Sequence, residues 1–255
     1  MGTLLIDLAA ELRTAGAVRE PVEPLTERHP ELTVVDAYAI QGLNAEGRAI
    51  KGHKIGLTSR VMQEMLGVDQ PDYGRIFADE LLESGAEVDR AELVAPKVEP
   101  EIAFVLGDDL VGPDVTAAQV LDATDHVLPA LEIIDSRIVD WRIKLVDTVA
   151  DNASCGRVVL GGRRTAVTST LDLAGTEVDL RLNGETMQSG EGSAVLGHPA
   201  EAVAWLANGV GEFGVTLAAG DVIMPGSLTA AVPLAAGDRA VADFGPLGRV
   251  EVVCR

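Results

Sequence analysis

Near the start of the chain, apolar residues recur at helical spacing. Leu4, Leu5, Leu8, Ala9 and Leu12 share one face, and Gly16 follows as a stop signal. Pro21, Pro24 and Pro30 mark a connection. A second helix is predicted from Thr33, where Asp36 three residues on completes an approximate capping box and Ala37, Ile40 and Leu43 line one face. Gly42 and Gly47 work against it. From Lys51 the texture becomes strand-like. Gly52–Leu57 reads as a strand with unusual glycines, and a short helix follows from Thr58 or Ser59 to Leu66, closed by Gly67. Further strands are predicted at Val98–Leu106, Val127–Asp135, Arg157–Leu160, Val178–Leu182, Asp221–Met224, Ala240–Phe244 and Arg249–Cys254. Asn183-Gly184 is a hairpin turn signal. Helices fit at Thr116–Thr124 and at Pro199–Val210, the latter with proline at its start and Gly211 after it.

Strands and helices do not alternate regularly, which argues against a doubly wound sheet. The expected class is α+β: a mostly β core over residues 51–255, read as one structural unit, with residues 1–50 as an N-terminal helical cap. The chain has 255 residues, 47% of them hydrophobic, which suffices for a large core without disulfides or a structural metal. Only 3% are aromatic, so Ala, Val, Leu and Ile must fill that core.

The net charge of −20 argues against nucleic-acid binding and against a polybasic membrane surface. It leaves room for an anionic small substrate, because a local field can oppose the global one. Cys155 and Cys254 form neither a disulfide framework nor a zinc pattern, and a reduced cytoplasmic setting is the simplest expectation. Met1–Asp7 has no basic segment, so the N-terminus reads as a helix and not as a signal peptide. No apolar run approaches the ~18 residues of a membrane span.

The chemistry concentrates in carboxylates on apolar strands. In Lys97-Val98-Glu99-Pro100-Glu101-Ile102-Ala103, Glu99 and Glu101 point to the same face, about 7 Å apart along the strand. Ala103 and Val105 continue that face into apolar surroundings. Glu132 sits between Ala130 and Ile134 on its own face. Like charges aimed into an apolar region repel and are costly to desolvate, and a divalent cation removes both problems. Oxygen ligands of this kind suit Mg²⁺ or Mn²⁺. The competing reading is a solvated strand face, and Pro100 hints at an edge or a bulge. Lys54 lies between Gly52 and Gly56 on one strand face, with room for a ligand; the alternative is an exposed lysine. Ala150-Asp151-Asn152-Ala153-Ser154 offers substrate hydrogen bonds or simple loop chemistry, and Asn152 and Ser154 are its candidates. Pro225-Gly226-Ser227 offers backbone N–H groups to an anion, or is a plain turn, and Ser227 is the candidate there. Asp135-Ser136-Arg137 offers a structural ion pair, the preferred reading, or an outer support for the site. The four histidines form no cluster, and neither a zinc-hydrolase nor a serine-nucleophile motif is present.

Taken together, Lys54-Ile55-Gly56-Leu57-Thr58-Ser59, Pro71-Asp72-Tyr73-Gly74, Val98–Phe104, Ala130–Arg137, Ala150–Ser154 and Leu196-Gly197-His198-Pro199 occur in this order. The chain thereby resembles the 2-keto-4-pentenoate (2-hydroxypenta-2,4-dienoate) hydratases of the fumarylacetoacetate hydrolase superfamily. The resemblance implies a mixed β-roll or β-sandwich core and a Mg²⁺ or Mn²⁺ site at Glu99, Glu101 and Glu132. It implies Lys54 as a catalytic or substrate-orienting residue, and Asp72, in the Pro-Asp-Tyr-Gly loop, as its acid/base partner. It also implies a homo-oligomer, pentamer or decamer, working in bacterial meta-cleavage of aromatic compounds. The implied reaction adds water to 2-hydroxypenta-2,4-dienoate to give 4-hydroxy-2-oxopentanoate. The sister 4-oxalocrotonate decarboxylase shares the three glutamates, the lysine and much of the fold, and is the alternative. A hydratase for the longer heptadienedioate would need an extra cation, and a silent metal-binding partner subunit is the non-enzymatic alternative.

Overall fold

The computed structural model describes residues 2–59, 63–64 and 67–255. Three helices open the chain: α1 (Gly2–Val18), α2 (Leu25–Arg28) and α3 (Val34–Ala45). The first runs through Gly16, where even an added Cβ would meet only the Arg137 side chain at 3.7 Å, so the glycine does not stop it. Thr33 and Asp36 cap α3 reciprocally: the Thr33 hydroxyl accepts from Asp36 N–H, and the Asp36 carboxylate accepts from Thr33 N–H at 3.0 Å. Such a cap is worth about 1 kcal/mol. Leu8, Leu12, Leu25, Ala37 and Ile40 are buried against Ile138, Val149 and Ala150, which brings the helices onto the segment that follows the central strands.

Two sheets carry the rest. The larger joins β1 (Ile50–Gly56), β2 (Asp72–Phe77), β3 (Leu81–Glu83), β5 (Pro96–Leu106), β6 (Thr124–Asp135), β7 (Cys155–Leu160) and β10 (Val222–Met224) in the order β2-β1-β10-β5-β6-β7-β3, with β11 (Val232–Pro233) also on β5. It is mixed: β1 runs parallel to β10 and β3 parallel to β7, while β5 and β6 form a long antiparallel pair. The smaller sheet has the order β4-β13-β12-β8-β9, from β4 (Ala86–Val88), β8 (Glu177–Leu182), β9 (Glu185–Glu191), β12 (Arg239–Asp243) and β13 (Arg249–Cys254). Asn183 and Gly184, both at positive φ, turn β8 into β9 as the sequence signal required.

Between them sits the main core. Val98, Ile102, Phe104, Leu131 and Ile133 from β5 and β6 meet Leu180, Ala240, Val250 and Val252, and are joined by α4 (Ala117–Ala123) and α5 (Pro199–Gly211). The period-2 alternation of strands sends the neighbours of these residues to the opposite face. There Ala103, Leu128, Ala130, Val158 and Met224 form a smaller apolar cluster. Glu99, Glu101 and Glu132 are in phase with that second face.

Pro100 is not on an edge strand. On one flank β5 pairs with β6 along its whole length. On the other, β10 pairs only with Phe104 and Val105, and β11 only with Lys97 and Val98. The stretch between them is faced by the loop 225–231, which reaches it through Leu228 N–H donating to Pro100 O at 3.0 Å. A residue without N–H is tolerated where the ladder is already interrupted. Four strands escaped the sequence pattern: β2, β3, β4 and β11. The helix expected from Thr58 or Ser59 to Leu66 falls largely outside the described residues.

Candidate active site

The β5–β6 register sets Glu99 directly opposite Glu132, and Glu101 opposite Ala130. Each of Glu99, Glu101 and Glu132 offers a carboxylate oxygen, and these oxygens all lie within 4.8 Å of one another. Glu101 and Glu132 are buried, at 1% and 0% exposure, and Glu99 is half-buried. Glu101 Oε2 accepts the Gly226 N–H at 2.8 Å, so the Pro-Gly-Ser turn does face an anion, and that anion belongs to the protein. Glu101 Oε1 and both oxygens of Glu132 have no hydrogen-bond partner. Burial raises all three carboxyl pKa values. Glu99 is pushed up to about 7, with Glu132 adding to the effect and Lys54 and Lys97 opposing it. Glu101 is raised well above the usual range by burial and by the charges of Glu132 and Glu99. Glu132 is raised by burial against the pull of Lys54. Lone oxygens converging in an apolar setting are the donor set of a hard divalent cation.

Lys54 comes from β1. Its ammonium donates to Ala153 O at 3.0 Å and lies 3.5 Å from Glu132 Oε2. Burial disfavours its charge, but Glu132, Asp72 and Glu99 outweigh burial and raise its pKa. Of its two flanking glycines, only Gly56 makes room in the site. A Cβ at Gly56 would meet Asp72 Oδ1 at 2.2 Å and Lys54 Nζ at 3.5 Å. Gly52 serves packing instead: a Cβ there would collide with Val222 O at 1.8 Å, where β1 runs along β10.

Asp72 belongs to a strand and not to a loop. It opens β2 and pairs with Gly56, which puts its carboxylate beside Lys54. Neither Asp72 oxygen makes a hydrogen bond of good geometry, and burial raises its pKa although Lys54, and then Gly56 N–H and Thr148, pull the other way.

A cavity of about 550 Å³ opens over this floor. Lys54, Asp72, Glu99, Ser154 and Ser227 all line it. The Ser154 hydroxyl is buried and unpartnered, hence available to a ligand. That of Ser227 is engaged in its own turn, donating to Thr229 O and accepting from Thr229 N–H. Asn152 is not brought to the cavity. Its side chain faces β2, where Oδ1 accepts Arg75 N–H at 2.8 Å and Nδ2 donates to Arg75 O at 2.9 Å. Arg137 is structural, as its sequence context implied, but its carboxylate partner is Asp151, whose Oδ2 accepts the Arg137 N–H at 2.9 Å; Asp135 instead accepts from Val94 and Ala95 N–H.

Among the wall residues given no role in the sequence reading are Lys97, Trp141 and Thr148. Lys97 shares the face of Glu99 and Glu101 by simple two-residue spacing, so that signal was present. Its ammonium sits 4.1 Å over the Trp141 ring. Trp141 has positive φ in an irregular segment, which no periodicity announces.

A family model, the fumarylacetoacetate (FAA) hydrolase C-terminal domain, matches residues 47–254. The chain is 53% identical to the 2-hydroxyhexa-2,4-dienoate hydratase of Comamonas testosteroni, over 85% of this chain and 84% of that protein. It is 45% identical to the 2-keto-4-pentenoate hydratase of Paraburkholderia xenovorans, over 91% and 88%. Among solved structures, the 4-oxalocrotonate decarboxylase of Pseudomonas putida G7, complexed with magnesium and adipate, superposes with a TM-score of 0.95 at 36% identity, covering 100% of this chain and 98% of that one. The chain belongs to the fumarylacetoacetate hydrolase family.

Proposed function

We propose that this protein is a divalent-metal-dependent hydratase that converts 2-hydroxypenta-2,4-dienoate and water into 4-hydroxy-2-oxopentanoate. The observation that carries the reading is the convergence of three carboxylates, two of them with orphaned oxygens, beside a buried lysine at the floor of one cavity. Relatives named as hydratases reach 53% identity, against 36% for the decarboxylase, and this favours hydration.

Glu99, Glu101 and Glu132 would hold the cation, Mg²⁺ or Mn²⁺. When bound, it supplies Lewis-acid polarisation of the 2-oxo oxygen. The chain's own groups handle the protons and the fit. The 2-hydroxyl proton leaves as C5 gains one, which gives an α,β-unsaturated 2-oxo acid. Water then adds its oxygen at C4, and a proton ends on C3. Lys54 and Asp72, set side by side over Gly56, are the groups that carry these protons. The Lys54 ammonium also faces the negative charge that builds on the substrate oxygen. The free Ser154 hydroxyl supplies a hydrogen bond to the acid. Leu57, Ile134, Trp141, Ile143 and Leu228 wall off water and fit a short hydrocarbon tail.

The deciding experiment assays the purified protein with Mg²⁺ on 2-hydroxypentadienoate and on 4-oxalocrotonate side by side. Loss of dienol absorbance without release of CO₂ is the expected result. Release of CO₂ from 4-oxalocrotonate with no hydration would replace the hydratase by the decarboxylase, and inactivity on both would leave a silent subunit.

The reading extends to a cytoplasmic homo-oligomer, pentamer or decamer, acting in the meta-cleavage breakdown of aromatic compounds. No described helix is long and apolar enough to cross a membrane. Light scattering that finds only a 26.6 kDa species at micromolar concentration would overturn the oligomer.

A further inference from the structure

Residues 152–154 form a turn of unusual conformation. Asn152, Ala153 and Ser154 have φ of 55°, 49° and 54°, three left-handed residues in succession and none of them glycine. Each such residue costs roughly 1–2 kcal/mol, and such strain persists only where surrounding structure over-determines it. Here the surroundings are specific. Asn152 grips the backbone of Arg75 on β2 with both amide atoms. Gly74 next to it has no Cβ, which would meet Asn152 O at 2.4 Å, so the turn lies flat on the strand. Behind the turn, Arg137 holds Asp151 by an ion pair and a backbone hydrogen bond.

The turn delivers two groups to the cavity. The Ala153 carbonyl accepts a hydrogen bond from Lys54 Nζ at 3.0 Å, and the Ser154 hydroxyl stands unpartnered in the wall. Lys54 and Gly74 are paired in the β1–β2 register, so the strand that Asn152 grips is the strand against which Lys54 is built.

We propose that Asn152 is a positioning residue for the reaction: its two-point clamp on Arg75 holds the left-handed turn in place, and the turn's Ala153 carbonyl fixes Lys54 Nζ beside Glu132. Asn152 touches no substrate and acts through Lys54. This rests on the hydratase reading for its kinetic test, but not for its chemical one.

Asn152→Gly separates the clamp from the strain, because glycine adopts the left-handed region freely and lacks the amide. Relaxing a reacting group by about 1 Å is worth up to ~10²-fold. Asn152→Gly should therefore lower kcat by about 10–100-fold with KM and Mn²⁺ affinity within about twofold. Asn152→Asp, which keeps the oxygen that accepts Arg75 N–H, should fall between. In a Lys54→Ala background the same glycine substitution should change kcat by less than about twofold, since residues acting through one another are not additive. Wild-type kcat in Asn152→Gly, or an equal loss in both backgrounds, overturns the proposal. The turnover-independent test is carbamylation of Lys54 by cyanate, read by peptide mass spectrometry on the folded protein. Its rate should rise severalfold in Asn152→Gly, and an unchanged rate overturns the clamp. If the wild type fails to hydrate the dienoate yet carbamylation responds, the hydratase reading falls and the clamp stands.

Discussion

Two clusters of buried charge lie close together in this molecule, and they are built on opposite terms. Around Arg137 every charge is answered: the guanidinium bonds Asp151, Asp135 O and Cys155 O, and the Asp135 carboxylate accepts from Val94 and Ala95 N–H. Around Glu132 the oxygens are left over. Burial is the same in both, so burial does not separate a structural ion pair from a site. What separates them is the residue of unmet hydrogen-bonding capacity. A satisfied buried cluster holds the fold; an unsatisfied one waits for a ligand.

The contrast can be broken most completely by taking away the ligand. Excess chelator should abolish turnover, and Mg²⁺ or Mn²⁺ should restore it; full activity in chelator would mean that the leftover oxygens serve nothing. Next in size, Lys54→Ala should lower kcat by roughly 10²–10⁴, the contribution of a proton-carrying group, with metal affinity nearly unchanged because an ammonium is no ligand. On the satisfied side, Arg137→Met should leave Asp151 buried and unpaired, at a cost of about 3–5 kcal/mol of unfolding free energy in denaturant titrations. A loss below about 1 kcal/mol would show that the pair is not structural.

His53 gives a pH test of the same principle. It is buried, its Nδ1 has no partner, and burial, then Arg75, lowers its pKa from 6.5 to about 4. The unfolded chain takes up that proton first, so the stability at stake is intact above pH 6.5 and is lost as pH falls through 4. At about 1.4 kcal/mol per pKa unit it amounts to about 3 kcal/mol. His53→Gln should flatten the acid limb of the stability curve by that order, and an unchanged limb would sink the assignment. The smallest effect is the most pointed. With no metal bound, Glu101→Gln should stabilise the fold by about 1 kcal/mol, because one of three repelling carboxylates is gone. The raised carboxyl pKa fixes the sign: the gain should be present at neutral pH and vanish below about pH 4, where the carboxyls are protonated in both states. A destabilised Glu101→Gln would place Glu101 with the structural charges.

The glutamates were legible in the sequence because strand alternation is strict: two-residue spacing puts Glu99 and Glu101 on one face, and Ala130 and Ile134 betray the surroundings of Glu132. The helix caps and the Asn-Gly hairpin were legible for the same local reason. Strand β2 was not, since Asp72–Phe77 carries a glycine and two charges, a pattern that only pairing with β1 explains. The two glycines around Lys54 looked alike in the sequence and differ in space, because what a missing Cβ admits depends on the element packed against it. Asn152 read as a substrate hydrogen-bonding candidate or a plain loop residue. Its partner lies 77 positions away, a separation no local pattern reports.

The interruption on the outer flank of β5 has a consequence for how such a protein changes over time. Residues 225–231 bridge the gap between β10 and β11, and Ser227–Ala231 form one wall of the cavity. Their first half is anchored by the Gly226 and Leu228 N–H groups, by Gly226 packed on Thr58 and by the Leu228 side chain in the main core. Leu228 is held by the main core, but Thr229 through Ala231, which are half-buried or exposed, can be exchanged while Glu99, Glu101 and Glu132 stay in register. The strands hold the carboxylates, and the outer half of the bridge can change without moving them.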